Sequence, residues 1–153
     1  MSPLGVIDAA PATARDEGMP QASTTPVVTR RAGASIETTF AGRVTGSMIE
    51  EACAGYRREG GAAPWLLDAS ATQSYAPEAV ERAVAQFNEL HAKHGLHRIV
   101  AVVVAPLVRM GASIVAATLR TMGSPLTIDV VDSRQAGEAI VAEAAAAARR
   151  PAR

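Results

Sequence analysis

Hydrophobic and polar residues follow two rhythms along this chain. Pro26 opens a β-branched run, Val27-Val28-Thr29-Arg30, and beyond Gly33 the residues Ile36, Thr38 and Phe40 share one face by period-two alternation. Two short strands about Gly33 predict a hairpin, closed by Gly42. From Thr45 to Arg58 the period lengthens. Met48, Ala52 and Tyr56 recur at every fourth position beside Ile49 and Cys53, an apolar helical stripe. Thr45 or Ser47 can cap its start. Glu50 and Glu51 fall in its early turns and Arg57 and Arg58 in its last, the charge order that a helix dipole favours, and Gly60-Gly61 stop it.

Pro64 to Asp68 is a nearly continuous apolar run ending in an acid, the mark of a strand covered on both faces, and Ala69 to Tyr75 reads as a polar loop. Pro77 suits a first helical position. The helix it opens runs to His94, with Val80, Val84, Phe87, Leu90 and His91 inward and Gly95 at its end. Arg98 to Ala105 predicts the central strand, stopped by Pro106. Arg109 to Met122 follows as a helix with Ile114, Val115, Thr118 and Leu119 inward, ended by Gly123. Leu126 to Val131 is the last strand. Asp132 or Ser133 caps an alanine-rich final helix to about Ala148, where alanine has the best helix propensity. The order β-β-α-β-α-β-α-β-α predicts an α/β fold: a mainly parallel sheet with right-handed crossovers and an antiparallel edge strand.

Composition narrows this picture. A chain of 153 residues favours one domain. Hydrophobic residues make up 48% but aromatic residues only 3%, so the core must be built from Ala, Val, Leu and Ile. Fifteen basic against fifteen acidic side chains argue against a nucleic-acid binder, which would carry a basic excess. The single Cys53 excludes an intrachain disulfide and a multi-cysteine metal centre. Met1 to Ile7 lacks the basic start of a signal peptide. The longest apolar stretch, Ile99 to Val108, is broken by Pro106 and falls far short of the ~20 residues of a membrane span. A cytoplasmic protein is expected. Residues 1–25, with Pro3, Pro11 and Pro20, read as a flexible tail, residues 26–149 as the folded domain and 150–153 as a short C-terminal tail.

In open α/β sheets ligands bind beyond the carboxyl ends of the strands, which directs attention to Asp68–Ala76, Ala105–Met110 and Asp132–Arg134. Asp68 can accept amide hydrogens of its own loop or serve a ligand. Ser70 and Ser74 bring hydroxyls near a helix N-terminus, where a phosphate is favoured. Arg109 lies at a helix start, where the dipole disfavours a cation; it can be solvated, pair with Asp68, or meet an anion or a partner carboxylate. Leu107, Val108 and Met110 form either an exposed apolar interface or part of the core. His91, His94 and His97 are spaced three apart around Gly95, which breaks the helix and does not suit a metal; His94 fits better as a cation complementing the helix C-terminus. Cys53 lies on an apolar stripe and reads as a core residue. No phosphate-binding glycine loop and no GxSxG elbow are present, so nothing supports an enzyme, a metal or a cofactor.

Four segments carry a family resemblance: WLLDAS (65–70), SYAPEAV (74–80), RIVAVVV (98–104) and LTIDVVDSRQAGEAI (126–140). Across about residues 27–146 the pattern resembles the STAS domain of anti-sigma-factor antagonists, and within it the wider SpoIIAA-like proteins. The resemblance implies a non-catalytic regulatory module that binds a protein partner, such as an anti-sigma or kinase-like regulator. It also implies a serine phosphorylated at the start of the helix after the third strand. Asp68 matches the strand-end acid of that family. The phosphoacceptor position falls near Ala76 or Pro77, which carry no hydroxyl, so Ser74 is the nearest candidate phosphosite. The expected partner-binding residues are Asp68, Ser70, Ser74, Tyr75, Glu78, Leu107, Arg109 and Met110. Two alternatives stand beside this reading. One is a pocket between helix and sheet for an apolar molecule or nucleotide. The other is self-assembly, as a homodimer through the edge strand Ile36–Phe40 or the last helix.

Overall fold

The computed structural model describes residues 26–149, so the tails expected at 1–25 and 150–153 lie outside the described residues. The elements are β1 (Val27–Ala32), β2 (Ser35–Ala41), α1 (Gly46–Arg58), β3 (Trp65–Ala71), α2 (Pro77–His94), β4 (Arg98–Val102), α3 (Pro106–Thr121), β5 (Thr127–Val131) and α4 (Arg134–Ala148). The strands form one five-stranded sheet in the order β1-β2-β3-β4-β5. β1 and β2 are the antiparallel hairpin, and β2 to β5 run parallel. This is the expected α/β order.

Alternation in the strands sends side chains to two faces. α1, α2 and α3 pack side by side on one face, over Ile36, Phe40, Trp65, Leu67, Ile99, Ala101 and Val103. α4 alone crosses the other face and covers a small cluster of Leu66, Val100, Val102 and Val141. On the larger face, Tyr56, Trp65 and Phe87 stack, with ring centroids 4.6 and 5.6 Å apart. Their polar atoms are satisfied, as burial requires. The Trp65 Nε1–H donates to Thr38 Oγ1 at 2.9 Å, and the Tyr56 hydroxyl donates to the Ala63 carbonyl at 2.5 Å.

Helix ends follow local chemistry. Thr45 caps α1 by accepting from Met48 N at 3.2 Å, and Ser133 caps α4 by accepting from Ala136 N at 3.1 Å. Pro77 opens α2, and Gly95 closes it in the left-handed conformation at φ 72°. The first turn of α1 holds no acid; Glu50 instead pairs with Arg82 of α2.

Several expectations change. β3 does not stop at Asp68 but runs to Ala71, which pairs with Ala41 past an irregular step in β2; backbone pairing there needs no apolar side chains. β4 ends at Val102 and lies beside the edge strand β5, so β3 and not β4 is the central strand; α3 begins at Pro106 rather than Arg109, because Pro106 takes the first helical position and Arg109 N already donates to Ala105 O. The buried stripe of α3 is Val108, Gly111, Val115 and Leu119; Ile114, expected inward, is exposed, because the apolar arc of this helix is wider than the face it presents to its neighbours.

Candidate functional site

The parallel strands bring their carboxyl ends to one edge of the sheet, and the segments leading into α1, α2, α3 and α4 follow there. Val44 N donates to Ser74 O and Ala76 N to Val44 O, so Val44 and Tyr75 form a short parallel bridge beyond β2 and β3. Glu78, in the first turn of α2, accepts from Gly46 N at 3.3 Å and ties two helix starts together. Hydrogen bonds from its own backbone amide and from Gly46 hold the Glu78 carboxyl below the ordinary glutamate range.

The predicted residues divide between the two faces. Asp68 lies on the α4 face, among the few buried polar groups. Its Oδ1 accepts from Ser70 N at 3.0 Å and from the Ser70 hydroxyl at 2.6 Å. Its Oδ2 accepts from Arg134 Nη1 at 3.0 Å. Burial alone would raise the Asp68 carboxyl, but the bonds from Ser70 and Arg134 outweigh it and leave it below its usual value. Arg134 also donates to Glu138 at 2.8 Å and to Glu37 at 2.6 Å, and Glu37 in turn pairs with Arg30 at 2.9 Å. Three carboxylates hold the guanidinium more firmly protonated than usual, the bond to Glu138 contributing most. The cation near Asp68 is therefore Arg134 and not Arg109, and none of the ion pairs among the described residues includes Arg109.

Glu37 and Glu138 were not among the candidates read from the sequence, and Arg134 entered only as the end of the Asp132–Arg134 loop, with no role of its own. A signal for them existed. Arg134 is the first residue of α4, where a helix dipole disfavours a cation. The same mismatch had singled out Arg109.

The second group lies on the three-helix side. Tyr75 is half-buried, with its ring over Gly111 of α3; a Cβ at Gly111 would come within 2.7 Å of it. Ser74 is half-buried beside it. Leu107, Met110 and Ile114 recur at i, i+3 and i+7 along α3 and are 45%, 50% and 43% exposed, an apolar stripe turned to solvent. Val108 turns inward and Arg109 is half-buried at the edge. Tyr75 meets α3 one turn beyond Leu107, so loop and stripe adjoin.

Other candidates settle into structural places. Cys53 is buried, and burial pushes its thiol up to about 12, far from a reactive thiolate. His91 and His97 bond separately through Nδ1 to the carbonyls of Leu96 and Gly95. Among the described residues no group of acidic, histidine or cysteine side chains is arranged to hold a metal, and no helix is long and apolar enough to cross a membrane.

The architecture is shared with a solved protein. The crystal structure of an anti-sigma factor antagonist from Mycobacterium paratuberculosis matches with a TM-score of 0.54 at 13% identity, over 76% of this chain and 92% of that one. An uncharacterised protein with a SpoIIAA-like fold from Shewanella loihica PV-4 matches with a TM-score of 0.49 at 11% identity, over 75% of this chain and 91% of that one. No family model matches the chain, and no curated protein matches it in sequence. The chain shares the α/β fold of that anti-sigma factor antagonist.

Proposed function

We propose that this chain is a non-catalytic regulatory module that docks a protein partner through the start of α3 and the adjoining Tyr75 loop. The observation that carries the reading is the exposed stripe of Leu107, Met110 and Ile114 beside Tyr75. Apolar side chains in such a row lose contact with water only when something covers them, and clustered exposed apolar surface marks interaction sites. Arg109 at its edge supplies a charged anchor for a partner carboxylate. The fold shared with an anti-sigma factor antagonist supports a protein partner, such as an anti-sigma or kinase-like regulator.

The non-catalytic reading has a chemical support. The Ser70 hydroxyl donates to Asp68, but that carboxylate is held ionised below its usual range and shared with Arg134, which makes it a poor proton acceptor. Ser74 remains the proposed phosphosite, because Ala76 and Pro77 at the helix start carry no hydroxyl.

Recovery of the partner from the native host tests this surface. Met110→Glu and Arg109→Glu, each checked for native circular dichroism, are expected to lose the protein captured by the unaltered chain. Equal recovery by both variants would count against this surface. Loss of self-association instead of a second protein, read by light scattering, would point to a homodimer.

A further inference from the structure

Between the sheet and the two helices α2 and α3 lies a partly open cavity of about 100 Å³ that is almost entirely apolar. Its floor is Leu67, Ile99 and Ala101. Its walls mix small residues, Ala79 and Ala83 from α2 and Gly111 and Ala112 from α3, with larger ones such as Phe87 and Val115. Phe40, Tyr75 and Phe87 also line the space, and the void lies where alanine and glycine face it from α2, α3 and β4. At Gly111 the space outside the backbone is already taken by the Tyr75 ring, so α3 has no side chain of its own to fill the gap there.

Water is a poor occupant. A buried water needs two to four polar partners, and Tyr75 is the only lining residue whose side chain carries a polar atom. A charged occupant is excluded by the same lining, which holds no charged side chain to compensate for burial. An apolar cavity of about 150 Å³ takes up benzene, so this smaller space holds at most a single ring or a short run of methylenes, with any excess length passing through its open side. The cavity is open on one side, and the half-buried Tyr75, Val80 and Ala112 form a rim on the α2–α3 seam.

We propose that this cavity is a binding site for a small neutral hydrocarbon group, either a free molecule or the end of a chain whose polar head stays outside the rim. It adjoins the docking surface, since Tyr75 belongs both to that surface and to the cavity rim, but its floor of Leu67, Ile99 and Ala101 lies outside that surface, so the methyl shifts below report the cavity alone.

The test is a titration of the full chain with benzene and, separately, with octanoate, followed through the methyl resonances. Saturable shifts are expected at Leu67, Ile99, Val103 and Val115, with none at Leu66, Val100, Val102 and Val141 on the α4 face. Shifts with benzene alone identify a free-molecule site, and shifts with octanoate identify a chain-end site. Two filling variants, Ala101→Ile from the sheet and Ala112→Leu from α3, are each expected to weaken binding at least tenfold while raising the melting temperature. Either one suffices if the other fails to fold. Absence of saturable shifts with both probes overturns the proposal, as does undiminished binding in a folded filling variant.

Discussion

Asp68 shows how a single side chain acquires its role. Its carboxylate ionises more readily in the folded chain than in the unfolded one, where an aspartate titrates near ~3.9. Its stabilising contribution is therefore fully present above that value and is lost as pH falls through the lower folded value. Asp68→Asn should flatten the acid limb of the stability profile, so that urea midpoints of wild type and variant stay apart above about pH 4 and converge as pH falls below it. Parallel profiles would show that the Arg134 and Ser70 bonds add nothing. That Asp68 is important was legible from its place at the end of an apolar run. Its cation was not, because Arg134 lies 66 residues away and reaches it only across the sheet. The role of Cys53 was legible, since a helical stripe already implies burial.

Elements were the most legible level, because caps and periodicity are local. Pro77, Gly95, Thr45 and Ser133 mark helix ends by chemistry that acts within a few residues. The misplaced start of α3 came from reading Pro106 only as a strand terminator, although the rule applied to Pro77 holds equally there. What the pattern leaves open is how closely an element approaches its neighbour. α1 lies so near β1 that a Cβ on Gly55 would fall 2.6 Å from the Thr29 Oγ1 and 2.7 Å from its Cβ. Gly55→Ala should therefore destabilise the fold by about 1–3 kcal/mol through overpacking, despite the better helix propensity of alanine. A measured gain in stability would show that α1 can shift away from β1 freely.

The whole molecule is an asymmetric sandwich. Three helices and the aromatic stack cover one face, while α4 covers the other with Gly137, Val141 and Ala145 as its buried residues. The smaller apolar area on the α4 side implies a smaller opening free energy. Native-state hydrogen exchange should show α4 amides exchanging through a local opening well below the global value, with β3 and β4 protected to the global limit. Equal protection of α4 and β4 would contradict this. The sequence by itself determined the identity and order of the elements, the parallel sheet with its antiparallel edge and the aliphatic character of the core, since each follows from periodicity and composition over short stretches. Only the tertiary structure decided that Arg134 joins Asp68 to Glu37, that Tyr75 rests on Gly111 and that small residues of α2, α3 and β4 leave a cavity. Those relations depend on strand register and interhelical distance, which bring together residues up to 97 positions apart and leave no mark in any local pattern.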